Sequence, residues 1–250
     1  MDIVFITGAT SGIGEATANL LALKGYKLIL CGRRIDRLKS LGEKLGLITP
    51  VHIISFDVSN RQEVEEKING LPEEWKNIDI LINCAGNAHG FSPIDKGNVA
   101  DWDAMIDINV KGLLYVSKVI MPIMVERQKG HIINIGSIAG KEVYPNGNIY
   151  CASKYAVDAI TKSMQLDLID YGIKVTGINP GLVETEFALV RFKGDKEKAK
   201  SVYNGMQPLK PEDIAEIIEF IVSRPAHVNI ADLLVFPSAQ ASATLVRRKE

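Results

Sequence analysis

Tyr150 and Lys154 stand four residues apart in Tyr150-Cys151-Ala152-Ser153-Lys154, with good helix formers following. On a helix such a pair shares one face, one turn apart. A free phenol titrates near about 10 and is a poor proton carrier at neutral pH. An ammonium beside it favours the phenolate and lowers that value. The pair therefore suits proton exchange with a hydroxyl or carbonyl oxygen. The same spacing also arises by chance on helix faces, so its weight comes from its surroundings. Upstream, the apolar run from His131 to Gly136 ends at Ser137 and reads as a buried strand. Ligands of open α/β sheets bind beyond the carboxyl ends of strands, which makes Ser137 a candidate donor to the oxygen that Tyr150 serves. Asn109 lies inside a long helical stretch, where Asn is a poor former and marks a local hydrogen-bonding task. Cys151 is expected to leave the helix on another side and take no part.

A second group of residues suits a dinucleotide. An apolar strand-like run enters Thr7-Gly8-Ala9-Thr10-Ser11-Gly12-Ile13-Gly14, which opens a helix. Glycines let backbone approach a phosphate, and the helix start supplies amide donors and a positive dipole end. The spacing is Gly-x-x-x-Gly-x-Gly, not the common Gly-x-Gly-x-x-Gly. At the tip of the second strand, an acid would hold the ribose 2′-hydroxyl of NAD. The chain instead reads Cys31-Gly32-Arg33-Arg34, and two guanidiniums suit the 2′-phosphate of NADP. Solvated arginines at a helix start are the plainer alternative. Asp57-Val58 follow the third strand, placed to border an adenine, and Asn83-Cys84-Ala85-Gly86 make a small-residue turn after the fourth.

These residues need a scaffold of alternating strands and helices, and the pattern supplies it. Strand-like runs at Asp2–Ile6, Lys27–Cys31, Val51–Phe56, Ile78–Ile82, the run ending at Ser137, Ile173–Ile178 and Asp232–Phe236 alternate with helical stretches. One of these is a long helix from about Asp101 to Arg127, and Pro211-Glu212-Asp213 opens another with Pro at its first position and acids in its first turn. The pattern predicts an α/β fold, a single-domain, three-layer Rossmann-type arrangement over residues 1–250. Residues 180–205 look irregular and charged and are expected to form a substrate lid. The net charge of −1, from 29 basic and 30 acidic residues, calls for neither nucleic acid nor a membrane surface. No leader pattern is visible, and no apolar run approaches the roughly 20 residues of a membrane span. The three cysteines form no ligand cluster with the four histidines and read as reduced thiols, so no metal and a cytoplasmic setting are expected.

Together, Thr7 to Gly14, Asn83 to Gly86, Ser137, Tyr150-x-x-x-Lys154 and Pro180-Gly181 give the whole chain a close resemblance to the short-chain dehydrogenase/reductase family. The resemblance implies a seven-stranded parallel sheet, a homotetramer, and a catalytic set of Asn109, Ser137, Tyr150 and Lys154. It also implies NADP(H) contacts at Gly8, Thr10, Ser11, Gly12, Ile13, Gly14, Arg33, Arg34, Asp57, Val58, Asn83, Ala85 and Gly86. Tyr150, Lys154, Pro180, Gly181, Val183 and Thr185 complete that set. Cys84 stands where the family turn usually has a second Asn. The stretches Leu71-Pro72-x-x-Trp75, Pro180 to Asp195 and Ala226-His227-Val228-Asn229-Ile230 look narrower still, similar to NADP-dependent 3-hydroxy acid dehydrogenases. Those enzymes oxidise serine, L-allo-threonine and related acids such as 3-hydroxyisobutyrate. Among the cations of the lid, Arg191 between Val190 and Phe192 is the candidate to meet a substrate carboxylate, its plainer role being an ion pair with Glu184 or Glu186. Glu142 would repel that carboxylate if it pointed inward. A general reductase of ketones, aldehydes or 3-oxoacyl groups is the alternative within the same chemistry, and a non-catalytic NADP-binding sensor the alternative outside it.

Overall fold

The computed structural model describes residues 1–249. Its centre is one sheet of seven parallel strands in the order β3-β2-β1-β4-β5-β6-β7. They are β1 (Ile3–Thr7), β2 (Lys27–Gly32), β3 (Val51–Ser55), β4 (Ile80–Asn83), β5 (Gly130–Ile135), β6 (Ile173–Pro180) and β7 (Asp232–Val235). All five residues of β1 are buried, as they must be in a strand covered on both faces. One face carries α1 (Gly12–Leu23), α2 (Ile35–Gly46) and α10 (Pro211–Val222). In α2, Leu38, Leu41 and Leu45 recur at helical spacing and are the residues buried there. The other face carries α3 (Arg61–Asn69), α6 (Leu113–Arg127) and α7 (Asn148–Leu168). Shorter helices are α4 (Glu73–Lys76), α5 (Val99–Ile106), α8 (Phe187–Arg191) and α9 (Lys196–Ser201).

Strand order reverses between β1 and β4. A crevice opens beyond the carboxyl ends of strands at such a point. The turns after β1, β2, β4, β5 and β6 all reach that edge, and they contain Gly8–Gly14, Arg33–Arg34, Asn83–Gly86, Ser137 and Gly181.

Several boundaries depart from the sequence reading. β4 starts at Ile80, because Asp79 is drawn into polar bonds with the Ile3 amide and Arg127, at 2.9 and 2.6 Å. The lid is not irregular throughout: it holds α8 and α9. The long helix runs from Val99 to Arg127 but is wound as a π-helix over Asp107–Gly112. Its 29 residues are long and apolar enough to cross a bilayer, with a mean hydropathy of 1.5 in its most apolar window, contrary to the expectation from the sequence. Its Val116, Ile120 and Met124 are fully buried in the core against the sheet.

Candidate functional site

The π-helical turn sets the geometry around Tyr150. A wide turn inserts an extra residue into a helix and re-aims its side chains. Here it turns Asn109 inward, where Nδ2 donates to the Asn87 carbonyl at 2.8 Å and to Ser153 Oγ at 3.0 Å. Asn109 Oδ1 accepts from the Asn87 amide at 2.8 Å. Ser153 Oγ in turn donates to the Tyr150 carbonyl at 2.8 Å. Asn109 thus ties the segment after β4 to the first turn of α7. Sequence reasoning missed Asn87 and Ser153; Ser153 lies inside the Tyr150–Lys154 stretch and could have been read as a helical serine bonding back to the preceding turn.

Tyr150, Ser137 and Lys154 converge at the base of the crevice, and all three are buried. Ser137 reaches the Tyr150 phenol and also accepts from the Ala139 amide at 3.1 Å. Lys154 Nζ donates to the Ile135 carbonyl at 2.9 Å, and it lies 3.5 Å from the place a Cβ on Gly86 would take. A Cβ there would press instead on Asn109 Oδ1, at 3.2 Å. Burial lowers the Lys154 pKa to about 8. Burial and the nearby Tyr144 raise the Tyr150 phenol well above its ordinary range, against the pull of the Ser137 hydroxyl and the Arg191 guanidinium. Burial outweighs the lowering expected from a neighbouring cation, and Arg191 is a cation whose pull on the phenol opposes it. Cys151 does not point away either. It is buried in the same small cluster as Tyr150 and Ala139, where burial raises its thiol pKa and leaves it a packing residue.

The turn from Thr7 to Gly14 has the form of a phosphate cradle. Gly8 and Gly12 have φ of 69° and 53°, a region that favours glycine. A Cβ on Gly14 would run into the Gly8 carbonyl, and no side chain caps the start of α1. Thr7 Oγ1 accepts from the Cys84 and Ala85 amides, both at 3.0 Å, which fixes the turn after β4 against that cradle. Thr185 sits over Gly12, its methyl 3.1 Å from where a Cβ would be. These features fit a dinucleotide, and the arginines fit one carrying a 2′-phosphate. Arg34 donates to Thr10 Oγ1 at 3.0 Å and to Ser11 Oγ at 2.6 Å, so its charge lies over the cradle. Arg33 pairs with Asp57 at 3.1 Å, and Val58 beside it is buried. Ile13 is part of the first turn of α1, and Gly181, Val183 and Thr185 follow β6. The Asn83 side chain turns into the core, donating to Ser117 and Asn134 at 3.0 and 2.9 Å; what it offers the crevice is backbone.

Arg191 closes the other side of the site. Its guanidinium lies 5.0 Å from the ring centre of Tyr150 and 5.3, 5.5 and 5.6 Å from those of Phe91, Tyr144 and Phe187. One Nη2 donates to Tyr144 Oη at 2.6 Å. Nε is buried without a partner, and no acid pairs with this arginine among the described residues. The expected alternative, an ion pair with Glu184 or Glu186, is not found among the described residues: Glu186 holds Arg34 and Arg37 at 2.7 and 2.8 Å, and Glu184 makes no ion pair. Glu142 accepts from the Ala243 amide at 2.9 Å and so fastens the C-terminal segment. Arg191, Tyr150 and Met105 line a narrow cleft of about 20 Å³ with His89, Ser92, Trp102, Asn146 and Asn148. Sequence reasoning missed these rings, although Phe187 sits four residues before Arg191 on α8; Phe91, Tyr144 and Tyr150 come from elsewhere in the chain. No group of three or more His, Cys, Asp or Glu is arranged to hold a metal among the described residues.

Comparison with known proteins agrees with this geometry. The chain is 46% identical over 244 residues to the NADP-dependent 3-hydroxy acid dehydrogenase YdfG of Escherichia coli (strain K12), covering 97% of this chain and 98% of that one. It is 43% identical over 241 residues to sulfoacetaldehyde reductase 2 of Chromohalobacter salexigens, covering 96% of each. Among solved structures, the closed form of serine dehydrogenase complexed with NADP+ superposes with a TM-score of 0.94 at 45% identity, covering 99% of this chain and 100% of that one. The model of the short chain dehydrogenase family matches residues 2–195, and the chain belongs to that family.

Proposed function

We propose that the protein is an NADP-dependent dehydrogenase of 3-hydroxy acids such as serine, L-allo-threonine or 3-hydroxyisobutyrate. The observation that carries this reading is Arg191. A half-buried guanidinium whose Nε is buried without a partner, with no acid beside it, gains from meeting an anion. It stands beside Tyr150, and its planar fork matches a carboxylate in two-point geometry. The relatives act on a 3-hydroxy acid and on a sulfonate-bearing aldehyde, both anionic.

The residues divide the work as follows. NADP, when bound, supplies the hydride acceptor or donor. Gly8, Thr10, Ser11, Gly12, Ile13 and Gly14 hold its phosphates. Arg33 and Arg34 select the 2′-phosphate, Asp57 and Val58 border the adenine, and Asn83, Ala85 and Gly86 flank the groove. Pro180, Gly181, Val183 and Thr185 close over it from the start of the 180–205 lid. Tyr150 takes the alcohol proton during oxidation and returns it during reduction. Ser137 holds the substrate oxygen, and Lys154 orients the ribose beside Gly86. Asn109 keeps this constellation in register and orders a proton path to solvent. Arg191 holds the carboxylate, so that the hydroxyl lies against Tyr150 and Ser137.

Arg191→Met tests the reading. Hydrogen bonds to charged groups contribute about 1.5–3 kcal/mol. KM for hydroxy acids should therefore rise by about tenfold or more, with uncharged alcohols and ketones spared. Equal losses on both classes would make Arg191 a packing residue and favour a general carbonyl reductase. We further infer a homotetramer in the cytoplasm. Support comes from the family resemblance and from exposed apolar residues on helix and strand surfaces, among them Leu166 of α7, Phe220 of α10 and Leu234 of β7.

A further inference from the structure

Glu186 immediately precedes α8, the short helix that ends at Arg191. One carboxylate oxygen accepts from Arg34 Nη1 at 2.7 Å and the other from Arg37 Nη1 at 2.8 Å. The two partners lie on the far side of the crevice, at the tip of β2 and in the first turn of α2. Arg34 is the residue whose other donors reach Thr10 and Ser11 on the phosphate cradle. Arg37 also reaches the Thr10 carbonyl at 3.4 Å. A carboxylate from the lid therefore occupies two of the three arginines clustered at this strand tip. The third, Arg33, is already paired with Asp57.

The charges at this corner then decide the sign. Three guanidiniums face two carboxylates, a surplus of one positive charge. A phosphate monoester brings about −1.5 to −2 charges at neutral pH. With Glu186 present, the corner becomes negative once a phosphate enters; with that carboxylate neutralised, it comes close to balance. A lid acid on these arginines is thus a repulsive element toward a cofactor 2′-phosphate, and leaves a cofactor without one untouched.

We propose that Glu186 and Arg37 are specificity-determining residues: Glu186 clips α8 to the arginines of the 2′-phosphate corner and moderates how tightly NADP is held there. This rests on the NADP reading of the cofactor site. The clip also explains why α8 is well placed to present Arg191. One end of a five-residue helix is anchored on cofactor-side arginines, and the other ends among the four rings. Moderated affinity has a use in a turnover enzyme, because the cofactor must leave after each cycle.

Glu186→Gln keeps the shape and removes the charge. Calorimetric titration of the wild type and the variant with NADP+ and with NAD+ reads the effect without any substrate. The two pairs are about half exposed, so each is worth a modest amount. NADP+ should bind the variant about three- to tenfold more tightly, with NAD+ unchanged. Hydrogen exchange of the α8 amides in the protein without cofactor should be faster in the variant. Unchanged or weaker NADP+ binding by Glu186→Gln overturns the proposal. A wild type that does not prefer NADP+ to NAD+ overturns the cofactor reading itself, a result separate from the first.

Discussion

At the scale of single residues, the proposed mechanism makes Tyr150 the group on which proton movement depends. Burial holds its phenol in the protonated form, which suits donation of a proton to a carbonyl during reduction. Oxidation needs the opposite state, so the oxidation rate should climb with pH while the phenol yields its proton. Lys154, brought down to about 8 by burial, loses its charge on the alkaline side. Tyr150→Phe keeps the ring among Phe187, Tyr144 and Arg191 and removes the carrier. General acid–base help is worth roughly 10²–10⁴-fold, so kcat should fall that far, NADP+ affinity should hold, and the residual rate should lose its pH dependence. A Phe variant with most of its activity would remove Tyr150 from the mechanism.

At the scale of elements, the helix from Val99 to Arg127 shows what the sequence could and could not disclose. Its existence, its end at Arg127 and an unusual role for Asn109 are all visible in the order of residues. The π-turn is not visible, because it is fixed by partners distant in sequence: the Asn87 backbone and Ser153. The same holds for the lid, where Arg191 was legible as the cation nearest the turn after β6, while its aromatic box was not. Phe187 lies four residues before Arg191 on α8, a spacing the sequence shows, but Phe91, Tyr144 and Tyr150 reach it from elsewhere in the chain, and no local pattern encodes that meeting. By contrast, the glycine cradle was read correctly as a strand-to-helix turn, since its requirements are local backbone ones. If Asn109 is a brace as well as a relay, Asn109→Ala should lose stability as well as rate. It leaves the buried Asn87 amide and carbonyl without partners, at about 1–3 kcal/mol each. The denaturation midpoint should drop with kcat; a fall in kcat at unchanged stability would restrict Asn109 to the proton path.

At the scale of the whole molecule, the parallel sheet brings five turns to one edge, and this convergence makes a two-ligand crevice out of a single chain. β1, β2 and β3 lead to the cofactor side, while β5 and β6 lead to Ser137 and the lid. α8 spans the two, with Glu186 at one end and Arg191 at the other. On the proposed reading, cofactor choice and substrate charge are read by the same small lid. The central claim is that the protein oxidises 3-hydroxy acids with NADP+. Steady-state turnover of serine, 3-hydroxyisobutyrate, ethanol and a cyclic alcohol, each with NADP+ and with NAD+, measures it directly. The account predicts much the highest kcat/KM for the hydroxy acids, and with NADP+ in preference to NAD+. Equal or better turnover of the uncharged alcohols, or equal use of NAD+, would contradict it.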